Sequence, residues 1–335
     1  MNISESDLIL VTGATGFVGS HVVQQAAQAG YRVRAMVRTD VKNDDLSDWN
    51  VQKVVAELED VDSLQRAVQG VTIVIHCAAM VGDWGATEQY RSVNVDGTQA
   101  LIQAATGTGM LKRWVQISSL GVYPGTDHYG TDETMAVSTK GIDGYTLTKV
   151  ESEKIVFAAI KDQQLPAVVL RPGFIYGPRD RTVMPRLMQR LQSGRFAYLG
   201  KTDKLMNNTF VGNLCEAIWL AVANDDAVGE AFNIRDAQAV SKQVFIETLC
   251  EAADLKKPTK VVPLHVAKFL AWHLETVYRL FRIQNAPLVN SARIKFLGRN
   301  LDFDISKAKS QLGYQPSTDF VAGMTDTVKW FLSNV

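Results

Sequence analysis

Cysteine is scarce in this 335-residue sequence, which contains three, Cys77, Cys215 and Cys250. They are far apart, odd in number and without the close pairing that metal ligands show. This pattern excludes a disulfide framework and is typical of reduced thiols in the cytosol. We therefore predict a cytoplasmic location, no bound metal, and three thiols that pack as small hydrophobic side chains.

An excess of charge of either sign is also lacking, because 35 basic residues are matched by 35 acidic ones. No run of lysine and arginine forms the basic stripe that follows a nucleic-acid backbone, so we exclude nucleic acid as a partner. No stretch approaches the ~20 uncharged apolar residues of a membrane-spanning helix. The first seven residues contain no basic segment, so we expect no export signal.

What the sequence does contain is an alternation of short β-branched runs with helical segments. The candidate strands are residues 8–11, 32–37, 51–55, 73–76, 113–117 and 167–170. Such alternation produces a parallel sheet covered by helices, and the nearly continuous apolar character of the runs indicates burial on both faces. The pattern predicts an α/β fold with a doubly wound parallel sheet of the Rossmann type.

Beyond Gly173 the alternation fades, and helical periodicity takes over between glycine and proline residues. We predict a main domain over residues 1–178 and a smaller, mostly helical C-terminal substrate lobe over residues 179–335. One more strand, within residues 229–236, is expected to return to the main sheet. The main domain and the C-terminal lobe are therefore not expected to be separated at a single position in the sequence.

A glycine-rich loop, Thr-Gly-Ala-Thr-Gly-Phe-Val-Gly at 12–19, follows the first candidate strand. Gly13 permits a tight turn, Gly16 lets backbone N–H groups approach a pyrophosphate, and Gly19 lets the next helix pack close to the strand. The N-terminus of that helix adds donors and a positive dipole. Because a strand precedes the loop and a helix follows it, we predict that the main domain binds NAD or NADP.

The end of the second candidate strand distinguishes these two cofactors. An acidic residue there would bind both ribose hydroxyls of NAD, but this sequence has Arg38. Arg38 can instead make a bidentate contact to the 2′-phosphate of NADP. A solvated surface arginine is the alternative. We predict a preference for NADP(H), with NAD(H) as a second cofactor.

Further short motifs follow the glycine loop in a fixed order. They are His-Cys-Ala-Ala at 76–79, Asn-Val-Asp-Gly-Thr at 94–98, Ile-Ser-Ser-Leu-Gly-Val-Tyr at 117–123, Tyr-Thr-Leu-Thr-Lys at 145–149 and Arg-Pro-Gly-Phe-Ile-Tyr-Gly at 171–177. Together, over nearly the whole chain, they resemble the extended branch of the short-chain dehydrogenase/reductase superfamily. The resemblance implies an NAD(P)-dependent dehydrogenase or reductase acting on CH–OH groups. Homodimers are frequent in that family, so we expect a homodimer.

Tyr145 and Lys149 match the catalytic pair of this family and, four residues apart, share one face of a helix. A phenol at its ordinary pKa of ~10 is a poor base at neutral pH. A neighbouring ammonium and a positive nicotinamide ring would both lower the pKa of the phenol. Tyr145 is therefore expected to exchange a proton with the substrate oxygen. The resemblance implies that Lys149 also binds the nicotinamide ribose.

Ser119 stands four residues before Tyr123, where the family carries a serine that polarises the substrate carbonyl. Ser118 is the adjacent alternative, and because successive strand side chains point to opposite faces, only one of the two can face the site. Asn94 matches a family position near the site, with a purely structural role in a helix as the alternative.

The resemblance also implies a set of cofactor contacts. They are Gly13, Thr15, Gly16, Phe17, Val18, Arg38, Glu57, Leu58, Ala78, Ala79, Tyr145, Lys149, Pro172 and Ile175. One of them departs from the family pattern, because Glu57 stands where an aspartate usually contacts adenine. The longer carboxylate is expected to serve the same contact.

Other stretches distinguish branches of the family. Dehydratases carry Thr-Asp-Glu where this sequence has Ser-Ser-Leu at 118–120, so water elimination is not expected. Residues 76–85, 211–213 and 308–316 resemble the 3β-hydroxysteroid dehydrogenases, and the region around Arg38 resembles the dihydroflavonol reductases. The resemblance implies a bulky hydrophobic, 3β-hydroxysteroid-like alcohol or ketone as substrate.

Two other functions stay open. A sugar-nucleotide epimerase or reductase would need phosphate-binding arginines in the second lobe. The candidates are Arg186, Arg190, Arg195 and Arg293. A non-catalytic NADP-binding sensor or subunit is the third hypothesis, and the intact set of Ser119, Tyr145 and Lys149 argues against it.

Residues 266–283 follow the spacing of an amphipathic helix. The apolar stripe consists of Val266, Phe269, Leu270, Leu274, Val277 and Phe281. A core-facing or substrate-lid helix is one interpretation. Peripheral contact with a membrane surface or a partner is the other, and Trp272, Leu280 and Ile283, which lie off the stripe, favour it.

Overall fold

The computed structural model describes residues 1–39, 46, 48–138, 140, 143–281, 283, 285–287 and 289–334. Seven strands form the central sheet, all of them parallel: β1 (Leu8–Thr12), β2 (Arg32–Val37), β3 (Gln52–Val55), β4 (Ile73–His76), β5 (Arg113–Ile117), β7 (Ala167–Pro172) and β12 (Ala231–Ile234). Their spatial order is β12-β7-β5-β4-β1-β2-β3. Short strands outside this sheet are β6 (His128–Thr131), β8 (Phe174–Tyr176), β9 (Tyr198–Leu199), β10 (Leu205–Met206), β11 (Asn208–Phe210), β13 (Val240–Ser241), β14 (Val261–Val262) and β15 (Leu301–Phe303).

Helices alternate with these strands. They are α1 (Phe17–Gln28), α2 (Val61–Ala67), α3 (Thr87–Arg91), α4 (Gly97–Gly107), α5 (Gly144–Gln163), α6 (Met184–Gln192), α7 (Val211–Ala223), α8 (Lys242–Ala252), α9 (Leu264–Leu280), α10 (Ser291–Leu297) and α11 (Phe320–Asn334). A π-helical turn, Ser92–Asp96, connects α3 to α4, and its flanking residues keep helical backbone angles.

Two apolar layers bury the sheet. α1, α7 and the segment 305–314 pack on one face, and α2, α4 and α5 pack on the other. Ile9 and Leu10 are neighbours in β1, point to opposite faces and are both fully buried. Burial on both faces explains the continuous apolar runs. The predicted doubly wound α/β fold is confirmed.

The strand expected to return to the main sheet is β12, which pairs in parallel with β7. α7 and the segment 305–314 also lie beyond residue 178 in sequence, yet they cover the main sheet. Elements from both sides of residue 178 therefore build this layer, and the division of the chain there stays a prediction. The rest of the C-terminal lobe packs around a separate apolar cluster that includes α6, α8 and α11.

The helix predicted within residues 266–283 is α9, and its apolar stripe points away from the protein. Its buried residues are Ala267 and Ala271, which pack against Ile294 of α10, whereas Phe269 is 63% exposed. The core-facing interpretation of the stripe is therefore wrong. Residue 282 of this segment lies outside the described residues. Within the described part of the chain, no helix combines the length and the apolar character that crossing a membrane requires.

Candidate active site

The carboxyl ends of the parallel strands meet at one edge of the sheet. The register places Thr12 of β1 beside His76 of β4, and Val37 of β2 beside Val55 of β3. The loops that leave this edge carry the predicted cofactor and catalytic residues. Open α/β sheets bind their ligands at this edge.

The glycine loop lies at the centre of the edge and fits a dinucleotide. Gly13 has a φ of +65°, and a Cβ there would lie 2.9 Å from the backbone of Ala78. A Cβ at Gly19 would lie 2.1 Å from the carbonyl oxygen of Gly13, so α1 packs directly on the loop. No side chain caps α1 and its first turn has no acidic residue, whereas Asp60 caps α2 and Asp143 caps α5. The N–H groups of α1 can therefore bind a pyrophosphate.

A buried histidine holds the glycine loop against the neighbouring strand end. His76 Nδ1 is 2.7 Å from the hydroxyl of Thr12, and its Nε2 is 3.0 Å from the hydroxyl of Thr98 on α4. The Thr12 hydroxyl also accepts a hydrogen bond from the N–H of Ala78. Burial lowers the pKa of His76 to about 3, with Lys149 acting in the same direction, so the imidazole is neutral. Sequence reasoning missed this role of His76. The signal that could have indicated it is a polar residue at the end of an otherwise apolar strand.

The predicted adenine end of the cofactor site lies at the ends of β2 and β3. Arg38 directly follows β2, Glu57 lies two residues after the end of β3, and both are exposed. Leu58 is buried, and a Cβ at Gly97 would lie 2.6 Å from its Cβ, so α4 packs closely here. The N–H of Glu57 donates to the hydroxyl of Ser63, which fixes the backbone and leaves the carboxylate at the surface. The remaining predicted contacts, which the same edge carries, are Thr15, Gly16, Phe17, Val18, Ala78, Ala79, Pro172 and Ile175.

Tyr145 and Lys149 lie on the first two turns of α5 and face one another. The Lys149 Nζ is 5.9 Å from the centroid of the Tyr145 ring. It donates a hydrogen bond of 2.8 Å to the carbonyl oxygen of Ile117, the last residue of β5. Lys149 is buried and Tyr145 is half-buried. The structure therefore brings the two predicted residues together at the sheet edge.

The pKa shifts of this pair differ from the sequence expectation. Burial raises the pKa of Tyr145 to about 12, the Asp143 carboxylate adds to the rise, and the Ser119 hydroxyl opposes it. Burial lowers the pKa of Lys149 to about 8, against the attraction of Cys77 and Glu153. The expected lowering of the Tyr145 pKa by Lys149 was wrong for the protein alone, because the cost of burying a phenolate dominates.

Ser118 and Ser119 face opposite directions, as strand geometry requires. The Ser118 hydroxyl donates to the carboxylate of Glu153 in the interior. Ser119 has an extended backbone, its hydroxyl accepts a hydrogen bond of 3.0 Å from the N–H of Gly121, and it interacts with the phenol of Tyr145. The structure therefore brings Ser119, and not Ser118, to the predicted catalytic tyrosine.

A buried ion pair supports these residues from below. The Glu153 carboxylate lies one turn beyond Lys149 on α5 and binds Arg171 through two hydrogen bonds of 2.9 and 2.7 Å. Arg171 also donates to the hydroxyl of Tyr123, which donates in turn to Asn233 of β12. Sequence reasoning missed Glu153, because its motif neighbours gave no sign that it points inward.

Asn94 lies in the π-helical turn between α3 and α4 and joins two elements of the site. Its side-chain amide exchanges hydrogen bonds with both backbone groups of Met80, in the loop after β4. The same amide donates to the hydroxyl of Thr148 on α5, and the backbone carbonyl oxygen of Asn94 accepts from the hydroxyl of Ser152. Asn94 thus holds the catalytic helix against the cofactor edge, which matches the structural alternative.

The C-terminal lobe closes one side of the cleft with charged residues. Lys295 of α10 donates 2.7 Å to the carbonyl oxygen of Gly121 and faces the Asp143 carboxylate. Arg293, on the same helix, binds Asp83 in the loop after β4. Sequence reasoning missed Lys295, which has no motif around it. In the described part of the chain, no group of three His, Cys, Asp or Glu side chains is arranged to hold a metal ion.

Curated relatives share the whole length of the chain. The 2-alkyl-3-oxoalkanoate reductase of Shewanella oneidensis is 28% identical over 94% of this chain and 84% of its own. The 3-beta-hydroxysteroid dehydrogenase of Mycolicibacterium neoaurum is 28% identical over 96% of this chain and 91% of its own. The decarboxylating sterol-4-alpha-carboxylate 3-dehydrogenase of Mus musculus is 28% identical over 98% of this chain and 92% of its own.

Solved structures share the fold. The crystal structure of gox2253 matches with a TM-score of 0.81 at 30% identity, over 98% of both chains. The UDP-glucuronic acid 4-epimerase of Bacillus cereus, in complex with NAD, matches with a TM-score of 0.78 at 22% identity, over 97% of this chain and 99% of its own. The resemblance to extended short-chain dehydrogenases/reductases is confirmed. The profile described as the NAD-dependent epimerase/dehydratase family matches residues 9–234, and the chain is an oxidoreductase that belongs to this family.

Proposed function

We propose that this chain is an NAD(P)(H)-dependent dehydrogenase or reductase that interconverts a secondary alcohol and a ketone on a bulky hydrophobic, 3β-hydroxysteroid-like substrate. One observation carries the proposal. The side chains of Tyr145, Lys149 and Ser119 converge at the end of β5, and Lys149 is close enough to His76 to shift its pKa. This is where a cofactor held by the glycine loop would present its reactive ring.

The chemistry divides among these three residues. A nicotinamide cofactor bound at this edge supplies or accepts the hydride. With a pKa of about 12, Tyr145 is protonated at neutral pH and can donate its proton to a substrate oxygen. The Ser119 hydroxyl accepts from the N–H of Gly121 and lies at the phenol of Tyr145, so it is placed to donate its proton to the same substrate oxygen. The ammonium of Lys149, fixed by Ile117, stabilises the phenolate left on Tyr145.

We further propose a preference for NADP(H) over NAD(H). Arg38 is exposed at the end of β2, and among the described residues it has no acidic partner. Its guanidinium can therefore bind a phosphate bidentately. The Glu57 carboxylate at the end of the neighbouring strand remains available to the adenine.

The substrate class rests on the relatives and on the second lobe. The names of the three relatives describe oxidation or reduction at carbon 3 of an alkanoate, a steroid or a sterol carboxylate. In this chain, Asn208 and Asn213 both donate to the buried carboxylate of Asp236. These two amide donors are used inside the fold, so they are not available to a sugar or a diphosphate, which favours an apolar ligand.

A sugar-nucleotide epimerase or reductase is the second candidate, and one observation favours it. Arg186 and Arg293 each lie close enough to Arg190 that their charges lower the pKa of Arg190, after the effect of burial. Arg293 is already bound to Asp83, and the guanidinium groups of Arg186 and Arg190 beside it attract an anionic group of a substrate. A carboxylate would satisfy them as well as a diphosphate. The fourth predicted arginine, Arg195, follows α6 and is exposed. No observation favours the non-catalytic sensor.

The test is a turnover assay of the purified chain with NADPH or NADH. The substrates are a 3-ketosteroid, a long-chain 2-alkyl-3-oxoalkanoate and a UDP-sugar, and the change in nicotinamide absorbance is followed. Tyr145→Phe is expected to lower turnover by roughly 10²–10⁴-fold while cofactor binding is retained. Tyr129→Phe is the control, because Tyr129 is 76% exposed. A Tyr145→Phe variant that kept its rate would refute the assignment, and turnover of the UDP-sugar alone would favour the second candidate.

A further inference from the structure

One lysine of the C-terminal lobe reaches into the main domain beside the catalytic residues. Lys295 lies on α10, and its Nζ donates a hydrogen bond of 2.7 Å to the carbonyl oxygen of Gly121. Gly121 belongs to the short helical turn Leu120–Val122, which directly follows Ser119. The N–H of the same glycine donates to the Ser119 hydroxyl at 3.0 Å. Lys295 and Ser119 therefore bind the two backbone groups of one residue.

The position of Gly121 determines where the Ser119 hydroxyl lies. A Cβ at Gly121 would lie 3.2 Å from the Ser119 Oγ and 3.2 Å from a methyl carbon of Thr146, so the turn packs on the first turn of α5. The Ser119 hydroxyl interacts with the phenol of Tyr145 on that helix. Glycine has more backbone freedom than any other residue, so hydrogen bonds to its backbone are what fix it.

The same lysine acts on the start of α5. Asp143 caps this helix, and its carboxylate accepts a hydrogen bond of 2.7 Å from the N–H of Thr146. Burial raises the pKa of Asp143, and the Lys295 ammonium opposes the rise. Lys295 thus favours the charged carboxylate, which is the form that stabilises the N-terminus of a helix. The second residue of that helix is Tyr145, so one side chain supports both segments that carry the catalytic residues.

The helix that carries Lys295 is held at both ends. Asn290 caps the start of α10 by accepting a hydrogen bond of 2.8 Å from the N–H of Arg293. At the other end, Lys242 of α8 donates to the carbonyl oxygens of Phe296 and Leu297 at 3.0 and 2.7 Å. The Lys295 ammonium therefore acts on Gly121 from a fixed support in the C-terminal lobe.

Two other roles for Lys295 agree less well with these contacts. A solvated surface lysine would extend into water, whereas Lys295 is half-buried and its hydrogen bond to Gly121 crosses between the two lobes. A cation that binds an anionic substrate group would lie apart from carboxylates. Lys295 instead faces Asp143, whose charge repels an anion.

We propose that Lys295 is a positioning residue, which holds Gly121 so that the Ser119 hydroxyl stays at the phenol of Tyr145, and which supports the start of α5 through Asp143. The C-terminal lobe thereby contributes to the catalytic arrangement of the main domain. In its effect on turnover the proposal rests on the proposed function. The position of the turn can be measured without any substrate.

The first measurement is turnover of the full chain with NADPH. Lys295→Met is expected to lower kcat by roughly 10- to 100-fold, because a misplacement of about 1 Å in a catalytic group can cost about 10²-fold in rate. The KM for the substrate and the affinity for NADPH are expected to change little, because the lost contact lies within the protein. Lys295→Arg keeps a cationic donor and is expected to recover most of the lost kcat.

The second measurement is amide hydrogen exchange of the full chain without substrate, followed by mass spectrometry on a peptide that covers residues 117–123. Exchange reports how often a segment opens locally. Loss of the charge-assisted bond to Gly121 in Lys295→Met is expected to speed exchange in this peptide by about tenfold or more. A peptide that covers residues 167–172, in β7, is expected to exchange as in the wild type.

The matched control is Lys307→Met. Lys307 is also half-buried and donates to a backbone carbonyl, that of Ala231, at 2.9 Å, and it pairs with Glu230. These residues lie at the start of β12, which is the edge of the sheet opposite the candidate active site. The control is expected to keep the wild-type kcat and the wild-type exchange of residues 117–123.

If Lys295→Met does not fold, Lys295→Gln takes its place, because the amide is neutral and its side chain is one bond shorter. Unchanged exchange of residues 117–123 would overturn the proposal, whether kcat falls or the KM for the substrate rises. Faster exchange with an unchanged kcat would overturn it too. A wild type that turns over none of the substrates would contradict the proposed function, and the exchange measurement would then decide on Lys295 alone.

Discussion

Replacement of Glu153 by leucine removes the carboxylate that binds Arg171 beneath the candidate active site. The two side chains are 3% and 6% exposed, and the contact is bidentate. The same carboxylate accepts a hydrogen bond from Ser118. The substitution therefore leaves a buried guanidinium with the hydroxyl of Tyr123 as its remaining described side-chain partner.

The cost follows from the charge that is left behind. Removal of one member of a buried ion pair destabilises a protein by about 3–5 kcal/mol, because the other charge stays buried without compensation. The lost hydrogen bond from Ser118 adds about 1 kcal/mol. Removal of both charges, with Glu153→Leu and Arg171→Met together, is expected to cost less than the single change, roughly 1–2 kcal/mol, since only neutral hydrogen bonds are lost.

Urea unfolding of the wild type, both single variants and the double variant would measure this coupling as a double-mutant cycle. Glu251→Leu is the control, because Glu251 pairs with Lys257 at the surface and its loss should cost at most about 1 kcal/mol. A Glu153→Leu variant that loses less than about 1 kcal/mol, or a double variant that is less stable than both singles, would refute the reasoning. Glu153 also binds Ser118, the residue next to Ser119. The Glu153→Leu variant is therefore also expected to lower turnover more than it weakens cofactor binding.

Three further predictions concern the cofactor site and the catalytic helix. Arg38→Asp should raise the KM for NADPH by roughly 10- to 100-fold and change the KM for NADH far less. Arg32→Asp, at the other end of β2, is the control. Equal effects of Arg38→Asp on both cofactors, or the same effect from the control, would show that Arg38 does not bind the phosphate. Gly19→Ala should destabilise the protein by about 1–3 kcal/mol and weaken dinucleotide binding, because a Cβ there would lie 2.1 Å from the carbonyl oxygen of Gly13. Gly107→Ala is the control and should do neither, because a Cβ at Gly107 would have no atom within 4 Å. Thermal melts would measure the stability, and fluorescence titration would measure the binding. Burial lowers the pKa of Lys149 from 10.5 to about 8, so the unfolded chain binds the extra proton between these values and the contribution of Lys149 to stability rises with pH across that window. Urea unfolding at pH 8 and pH 10 should show that Lys149→Met loses this rise, and an unchanged pH dependence would contradict the assignment.

The sheet could be predicted because burial on both faces leaves a clear pattern in the sequence. The bounds expected for residues 32–37 and 113–117 are those of β2 and β5, and the glycine loop stands between β1 and α1 as expected. Continuous β-branched runs have few other structures available to them.

The orientation of α9 could not be predicted in the same way. Helical spacing defines which side chains share a face, but it does not say whether that face meets the protein. Here the contact with α10 goes through Ala267 and Ala271, whose small side chains allow the helix to approach closely. The larger side chains, such as Leu280, are then left outside. The choice depended on how closely the next helix, α10, packs against α9.

The choice between Ser118 and Ser119 also depended on a distant residue. Strand geometry required that one serine face inward, and the inward position belongs to the serine that finds a buried carboxylate, Glu153. The spacing to Tyr123 indicated Ser119 only through the family resemblance, and nothing in the local sequence shows that Glu153 is the partner of Ser118. A buried hydroxyl without a partner would be costly, so the partner decided the direction.

The pKa of Tyr145 shows why a catalytic pair cannot be understood from its spacing. One turn of helix brings an ammonium near the phenol, and in water this would favour the phenolate. In the folded chain the Lys149 ammonium donates to the carbonyl oxygen of Ile117, and its nitrogen is 5.9 Å from the centroid of the Tyr145 ring. Burial and the nearby Asp143 carboxylate raise the pKa of Tyr145 to about 12. The protein alone therefore holds Tyr145 as an acid, ready to protonate a substrate oxygen in the reductive direction. In the oxidative direction the same residue must act as a base, so that direction is expected to quicken as the pH rises, whereas the reductive one is not.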